Sequence, residues 1–168
     1  MTILVDSVEY KCWHEVGHAA VCLHLGGDVE FIELLDDAVV HARARCVVLP
    51  EHHRSVACGG FAAEFYLLNN GYAEQAPDDT RDINRIVFNN ASGDGHAFWG
   101  REYSGEGFTE AETREFMNHA VGADGHGGLI PILHSNFSRM QQVVRELHSA
   151  RKIDGRRVKE LLRLGVNR

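Results

Sequence analysis

Two imidazoles and a carboxylate inside an otherwise apolar helix constrain this chain more than anything else in it. They lie in Tyr10-Lys11-Cys12-Trp13-His14-Glu15-Val16-Gly17-His18-Ala19-Ala20-Val21. The run from Val8 to Leu25 holds no proline, and Gly26-Gly27 supplies a stop signal, so it predicts one helix. Val16, Ala19, Ala20 and Leu23 recur at helical spacing, which predicts burial of that helix. Side chains four apart sit about 40° from each other around a helix axis. His14 and His18 can therefore aim at one cation, and zinc is the usual occupant of such a pair. Glu15 projects beside that ion, where a carboxylate can take a proton from water. A polar trio on a buried helix needs a partner, because unpaired polar groups are costly to bury.

A chain of 168 residues suits one domain with a proper core. No apolar run approaches the roughly 20 residues needed to cross a bilayer, and the start Met1-Thr2-Ile3-Leu4-Val5-Asp6 lacks signal-peptide character. The expected location is cytoplasmic, with no membrane segment. Cys12, Cys22, Cys46 and Cys58 form no Cys-x-x-Cys pair and read as reduced core thiols. The net charge of −7 is uneven: residues 139–168 hold nine Lys/Arg against three acids, and the remainder is acidic. Without interleaved aromatics or a nucleic-acid motif, that basic tail reads as a solvated face docked on the acidic body, and no nucleic acid is expected.

Beyond the first helix, residues 29–35 and 39–49 read as two strands around an Asp36-Asp37 turn. Such a hairpin either covers the core or offers an edge strand to an extended peptide. Residues 51–70 read as a helix closed by Gly71. Two mid-helix glycines, Gly59 and Gly60, would each cost roughly 1 kcal/mol relative to alanine, which suggests close approach of the first helix. Asp82 opens a third helix. Residues 93–107, with five glycines around His96, Trp99 and Tyr103, read as a mobile loop. Thr109-Glu110-Ala111-Glu112 has capping-box spacing and starts a helix to about Val121. Pro131 opens another to about Ala150, and Asp154 caps a last one through Leu164. The expected fold is a single α+β domain over 1–168, predominantly helical, with a small β-hairpin or sheet and a C-terminal helical bundle.

Catalytic zinc takes three protein ligands and leaves one position open. His24 is ten residues after His14, but Val21 stands where a sharp turn would need glycine, so the helix continues and carries His24 away. Glu64, 46 residues beyond His18, and Asp82, 64 beyond, are not separable by spacing.

His14 to Ala19 resembles the His-Glu-Ala-Gly-His-Ala box of the peptidase domain of FtsH-type ATP-dependent zinc proteases. Gly59-Gly60-Phe61-Ala62-Ala63-Glu64 is similar to that family's Gly-Gly-Arg-x-Ala-Glu helix, and Arg81-Asp82-Ile83 to its Asn-Asp-Leu/Ile segment. Phe108-Thr109-Glu110-Ala111-Glu112-Thr113 is similar to its Phe-Ser-x-Glu helix start. The resemblance implies a zincin-like metal helix with His14, His18 and Asp82 as zinc ligands, Glu15 as general base, and Glu64 orienting a ligand or water. The chain is too short for the family's ATPase module and membrane anchor. The glycine-rich stretch at 122–128 also interrupts what is a long helix in the family, so the resemblance does not by itself imply that family's hexameric ring.

The expectation is a stand-alone zinc metalloendopeptidase acting on flexible peptides or unfolded polypeptides. A homo-oligomer, or a separate ATPase delivering substrate, is compatible with it. His96, Tyr103, His119 and His126 are candidate oxyanion or proton-donor groups. The alternative is a metal-binding pseudo-peptidase serving as an interaction module.

Overall fold

The computed structural model describes residues 2–35 and 41–162. In chain order the elements are β1 (Ile3–Leu4), α1 (Val8–His24), β2 (Asp28–Leu35), β3 (His41–Val47), a 3-10 turn (Pro50–His52), α2 (His53–Ala57) and α3 (Gly59–Asn69). There follow β4 (Ala73–Glu74), α4 (Ile83–Asn90), α5 (Ser92–Phe98), α6 (Glu110–Val121), α7 (Ile130–Ala150), β5 (Lys152–Asp154) and α8 (Gly155–Leu162). This is an α+β fold, mostly helical with a small sheet.

Helix α1 is the centre. Ser7 caps it by accepting the Tyr10 N–H, and it runs to His24 as its apolar spacing predicts. Tyr10, Cys12, Trp13, Val16, Ala19, Val21 and Cys22 are buried on nearly all sides of it. The three-stranded sheet, ordered β3-β2-β5 and antiparallel, lies against one side, while β1 and β4 pair separately in parallel. Helices α3 and α7 pack on another, with Trp13 stacked on Phe137 at 5.0 Å. The turn expected at Asp36-Asp37, the strand start expected at Val39-Val40 and the helix end expected at Leu164 lie outside the described residues. In β3 the residues His41, Arg43, Arg45 and Val47 are exposed while Ala42, Ala44 and Cys46 face the core. Among the described residues β3 is a free sheet edge.

The stretch expected as one helix over 51–70 is two, broken at Cys58. Gly59 and Gly60 therefore open α3 rather than interrupting it. Their reason is the one anticipated, close contact with α1. A methyl group on Gly59 would lie 2.8 Å from the Gly17 carbonyl oxygen and 2.8 Å from His18 Cα; one on Gly17 would overlap the Gly59 carbonyl and lie 2.7 Å from Ala63 Cβ.

Helix α6 carries the expected capping box, Thr109 with Glu112. Asp154 caps α8 through the Arg157 N–H at 2.9 Å. The C-terminal helices layer onto α1 and the sheet as well as onto each other. Part of the basic tail docks on the acidic body, through Lys152–Glu33 at 2.8 Å and Lys159–Asp28 at 2.5 Å; Arg157 pairs within the tail, with Glu146 and Glu160. Within the stretch 93–107 expected as a mobile loop, residues 93–98 instead belong to helix α5, which brings buried Asp94 and His96 into the interior.

The Gly17–Gly59 crossing yields a stability prediction. Gly17→Ala should destabilise the fold by about 1–3 kcal/mol through overpacking, read as a lower urea midpoint. Gly93, which has open space around it, should accept alanine within about 1 kcal/mol. Equal midpoints for Gly17→Ala and the parent would refute the packing account.

Candidate metal centre

The pair His14 and His18 converges as one helical turn requires, with Nε2 atoms 3.2 Å apart. The second nitrogen of each ring is held. His14 Nδ1 donates to Glu64 Oε1 at 2.8 Å, and Glu64 is almost fully buried, 1 % exposed. The other Glu64 oxygen lies 3.5 Å from Asn90 Nδ2. His18 Nδ1 donates to the Val56 carbonyl at 2.7 Å. In an unbroken helix that carbonyl would take the Gly60 N–H; instead the Gly60 nitrogen sits 3.3 Å from His18 Nδ1. The imidazole is thus inserted into the helical hydrogen-bond ladder, a recognised cause of a helix break. With both Nδ1 atoms donating, both Nε2 lone pairs point at a common space.

The third group there is Asp94, from the first turn of α5. Its Oδ2 is 3.4 Å from His14 Nε2 and its Oδ1 3.3 Å from His18 Nε2. His14, His18 and Asp94 are the described residues grouped closely enough to hold a metal ion. Asp82, the acid expected as third ligand, is elsewhere: it is exposed and caps α4 by accepting the Asn84 N–H at 2.8 Å. The whole of α4, about 12 Å at the usual rise, separates it from α5. Glu64 touches His14 as anticipated, on the side away from Nε2. Glu15 is half-buried and lines a cleft of about 300 Å³ with Lys11, His14, His41, Ala42, Glu64, Asn89 and Asn90.

None of the four candidate proton donors is grouped with His14, His18 and Asp94. His96 hydrogen-bonds the Ser92 carbonyl and packs between Tyr103 and Phe108. His119 pairs with Ser55 Oγ at 2.9 Å. His126 is exposed on the 122–128 turn.

Three observations fit this site to a cation. The two Nε2 atoms lie 3.2 Å apart, close to the edge of about 3.3 Å expected for a tetrahedron with zinc-type bonds of about 2.0–2.1 Å, and each faces a different Asp94 oxygen at 3.3 or 3.4 Å. Asp94 Oδ2 is buried without a hydrogen-bond donor, a cost that a cation removes. Gly60 faces the gap, and a methyl group there would overlap His14 Nε2 and lie 2.5 Å from His18 Nε2. The electrostatics agree. Burial opposes protonation of His14, yet Asp94 and then Glu64 hold its imidazole well above the ordinary range. Burial likewise opposes ionisation of Asp94, yet His14 and His18 together hold its carboxyl below the usual range. Burial pushes the Glu64 carboxyl up, partly offset by His14. The cluster as a whole favours positive charge between its members.

Neither the protein-family models nor the curated proteins compared with this sequence match it.

The geometry separates the two aspartates. Asp94→Asn should weaken zinc binding at least about 100-fold, whereas Asp82→Asn should keep a full equivalent and lose at most about 2 kcal/mol as a weakened helix cap. Gly60→Ala should also lose the metal. Isothermal titration with zinc reads all three, and metal loss in Asp82→Asn alone would reverse the assignment.

Proposed function

We propose that this chain is a zinc-dependent metallopeptidase, an FtsH-like peptidase domain acting on flexible or unfolded polypeptides. The observation that carries this reading is the convergence of His14 Nε2, His18 Nε2 and the Asp94 carboxylate within 3.2–3.4 Å, with Glu15 and His14 lining one open cleft.

His14, His18 and Asp94 would hold the ion. Zinc in such a site acts as a Lewis acid toward a peptide carbonyl and lowers the pKa of water to about 7. Glu64 and the Val56 carbonyl fix the two ring orientations and raise the basicity of the Nε2 atoms. Glu15 takes the proton from the attacking water and returns it to the departing amine.

The free edge of β3 supports the substrate side of the reading. Its residues His41 and Ala42 form one wall of the cleft, so an extended peptide paired along β3 would pass Glu15 with alternate side chains turned toward the cleft. The resemblance of the His14–Ala19 and Gly59–Glu64 segments to FtsH-type peptidases supports the same chemistry. The acid at the site, Asp94, differs from the one that resemblance assigned.

Glu15→Gln separates catalysis from metal binding. The variant should bind zinc like the parent and cleave unfolded casein about 100- to 10,000-fold more slowly, the usual scale for losing a general base. Chelation should abolish parental cleavage, and zinc should restore it. Equal cleavage by parent and variant would remove the enzyme reading and leave a metal-binding interaction module.

A further inference from the structure

Asp94 reaches the two histidines from a segment that packs mainly elsewhere. Helix α4 lies on α3, and α5 lies on α2 and α4, whereas the histidines belong to α1. A second set of side chains joins that segment to α1. Asp6, in the turn just before α1, has a left-handed backbone with φ 64°, a conformation that aspartate tolerates better than most residues. Its carboxylate accepts from both ends of α4. Arg81, one residue ahead of the Asp82 cap, donates through Nη2 to Asp6 Oδ2 at 2.9 Å and also grips Asp79. Asn90, the last residue of α4, donates through Nδ2 to Asp6 Oδ1 at 3.2 Å. The same nitrogen faces Glu64 Oε2 at 3.5 Å, and the other oxygen of that carboxyl holds His14. An amide nitrogen carries two hydrogens and accepts nothing, which suits a place between two carboxyl groups. Asp94 follows Asn90 by four residues, past Ala91, which caps the end of α4 and the start of α5.

We propose that Asn90, held by Asp6, is a positioning residue for the metal centre. It fixes the segment that carries Asp94 against the helix that carries His14 and His18. Two features of Asp94 make such an anchor necessary. Its distances of 3.3 and 3.4 Å to the imidazoles are too long for good hydrogen bonds, so those contacts hold it weakly before an ion enters. It also stands between Gly93 and Gly95, whose backbone is freer than that of other residues. Metal ligands work only when held to within about 0.5 Å of the required geometry, and a tie four residues upstream supplies that constraint. The tie to Glu64 brings the support of His14 into the same network. The proposal rests on the metal reading of the site and does not require the peptidase reading.

The test uses the full chain, stripped of metal with a chelator and titrated with zinc in a calorimeter. Asn90→Ala and Asp6→Gly should each bind zinc about 10- to 100-fold more weakly than the parent. Glycine at position 6 keeps the left-handed backbone without strain, so this variant reports on the tie even where Asn90→Ala fails to fold. The double variant should lose no more than the weaker-binding single one, because both changes remove the same contact. Asn84→Ala, at an exposed position of the same helix, should bind like the parent. Cobalt(II) gives a second readout, since its visible absorption is strong in a tetrahedral site and weak where water replaces a ligand. Cobalt-saturated Asn90→Ala should absorb less than the cobalt-saturated parent. A residue that served stability alone would lower the melting point and leave both the affinity and the cobalt spectrum in place. Parent-like affinity in either folded variant, an equal loss in Asn84→Ala, or losses that add in the double variant would each overturn the proposal while leaving the metal centre standing. A parent that takes up no zinc would instead remove the metal reading, and this proposal with it.

Discussion

The site depends on how closely two helices approach. Helix α1 and the start of α3 meet through Gly17 and Gly59, with no side chain between them. That proximity lets the His18 ring reach the Val56 carbonyl and take the place of an intrahelical bond. The break at Cys58 is thus a consequence of the histidine, and the histidine's orientation is a consequence of the break. Gly60 completes the arrangement by leaving the space in front of both Nε2 atoms clear.

Burial sets the electrostatic demand. His14, Glu64 and Asp94 lie among apolar neighbours, where a charge without a partner is expensive. The hydrogen bond from His14 to Glu64 satisfies one side of the ring, and the other side faces Asp94 across a gap too long for a good hydrogen bond. A cation between the groups answers both the unpaired Asp94 oxygen and the facing lone pairs. On the sheet, a buried charge is handled differently. Glu33 is gripped from both neighbouring strands by Arg43 and Lys152, and those strong contacts hold its carboxyl below the usual range while cross-linking the sheet.

Much of the fold was legible because local signals were strong. Gly26, Thr109 with Glu112, and Asp154 mark helix ends through local signals that a few adjacent residues determine. The hairpin strands followed from alternation. The Cys58 break was not legible, because it arises from a side chain 40 residues away. Helix α5 was hidden for another reason: Ser92, Gly93, Asp94 and Gly95 have loop-like composition, and only packing of Phe98 and His96 against Phe108 and Phe116 offsets the poor propensity. One signal did point there. Gly95 has no side chain because the Phe108 ring occupies its place, and a glycine beside an acid can mark close packing as well as a turn.

By itself the sequence determined the two histidines, because a four-residue spacing on a helix fixes their relative direction regardless of what surrounds them. It also determined Glu15, which lies one step along the same rigid element. Only tertiary structure decided the third acid. Distance along the chain has no purchase on residues joined through several elements, and Asp82 and Asp94 differ by the course of one helix, not by chemistry. Folding leaves Asp82 in solvent capping α4 and buries Asp94 against both imidazoles. The reason is that ligand convergence from separate segments is set by packing, which no local pattern records.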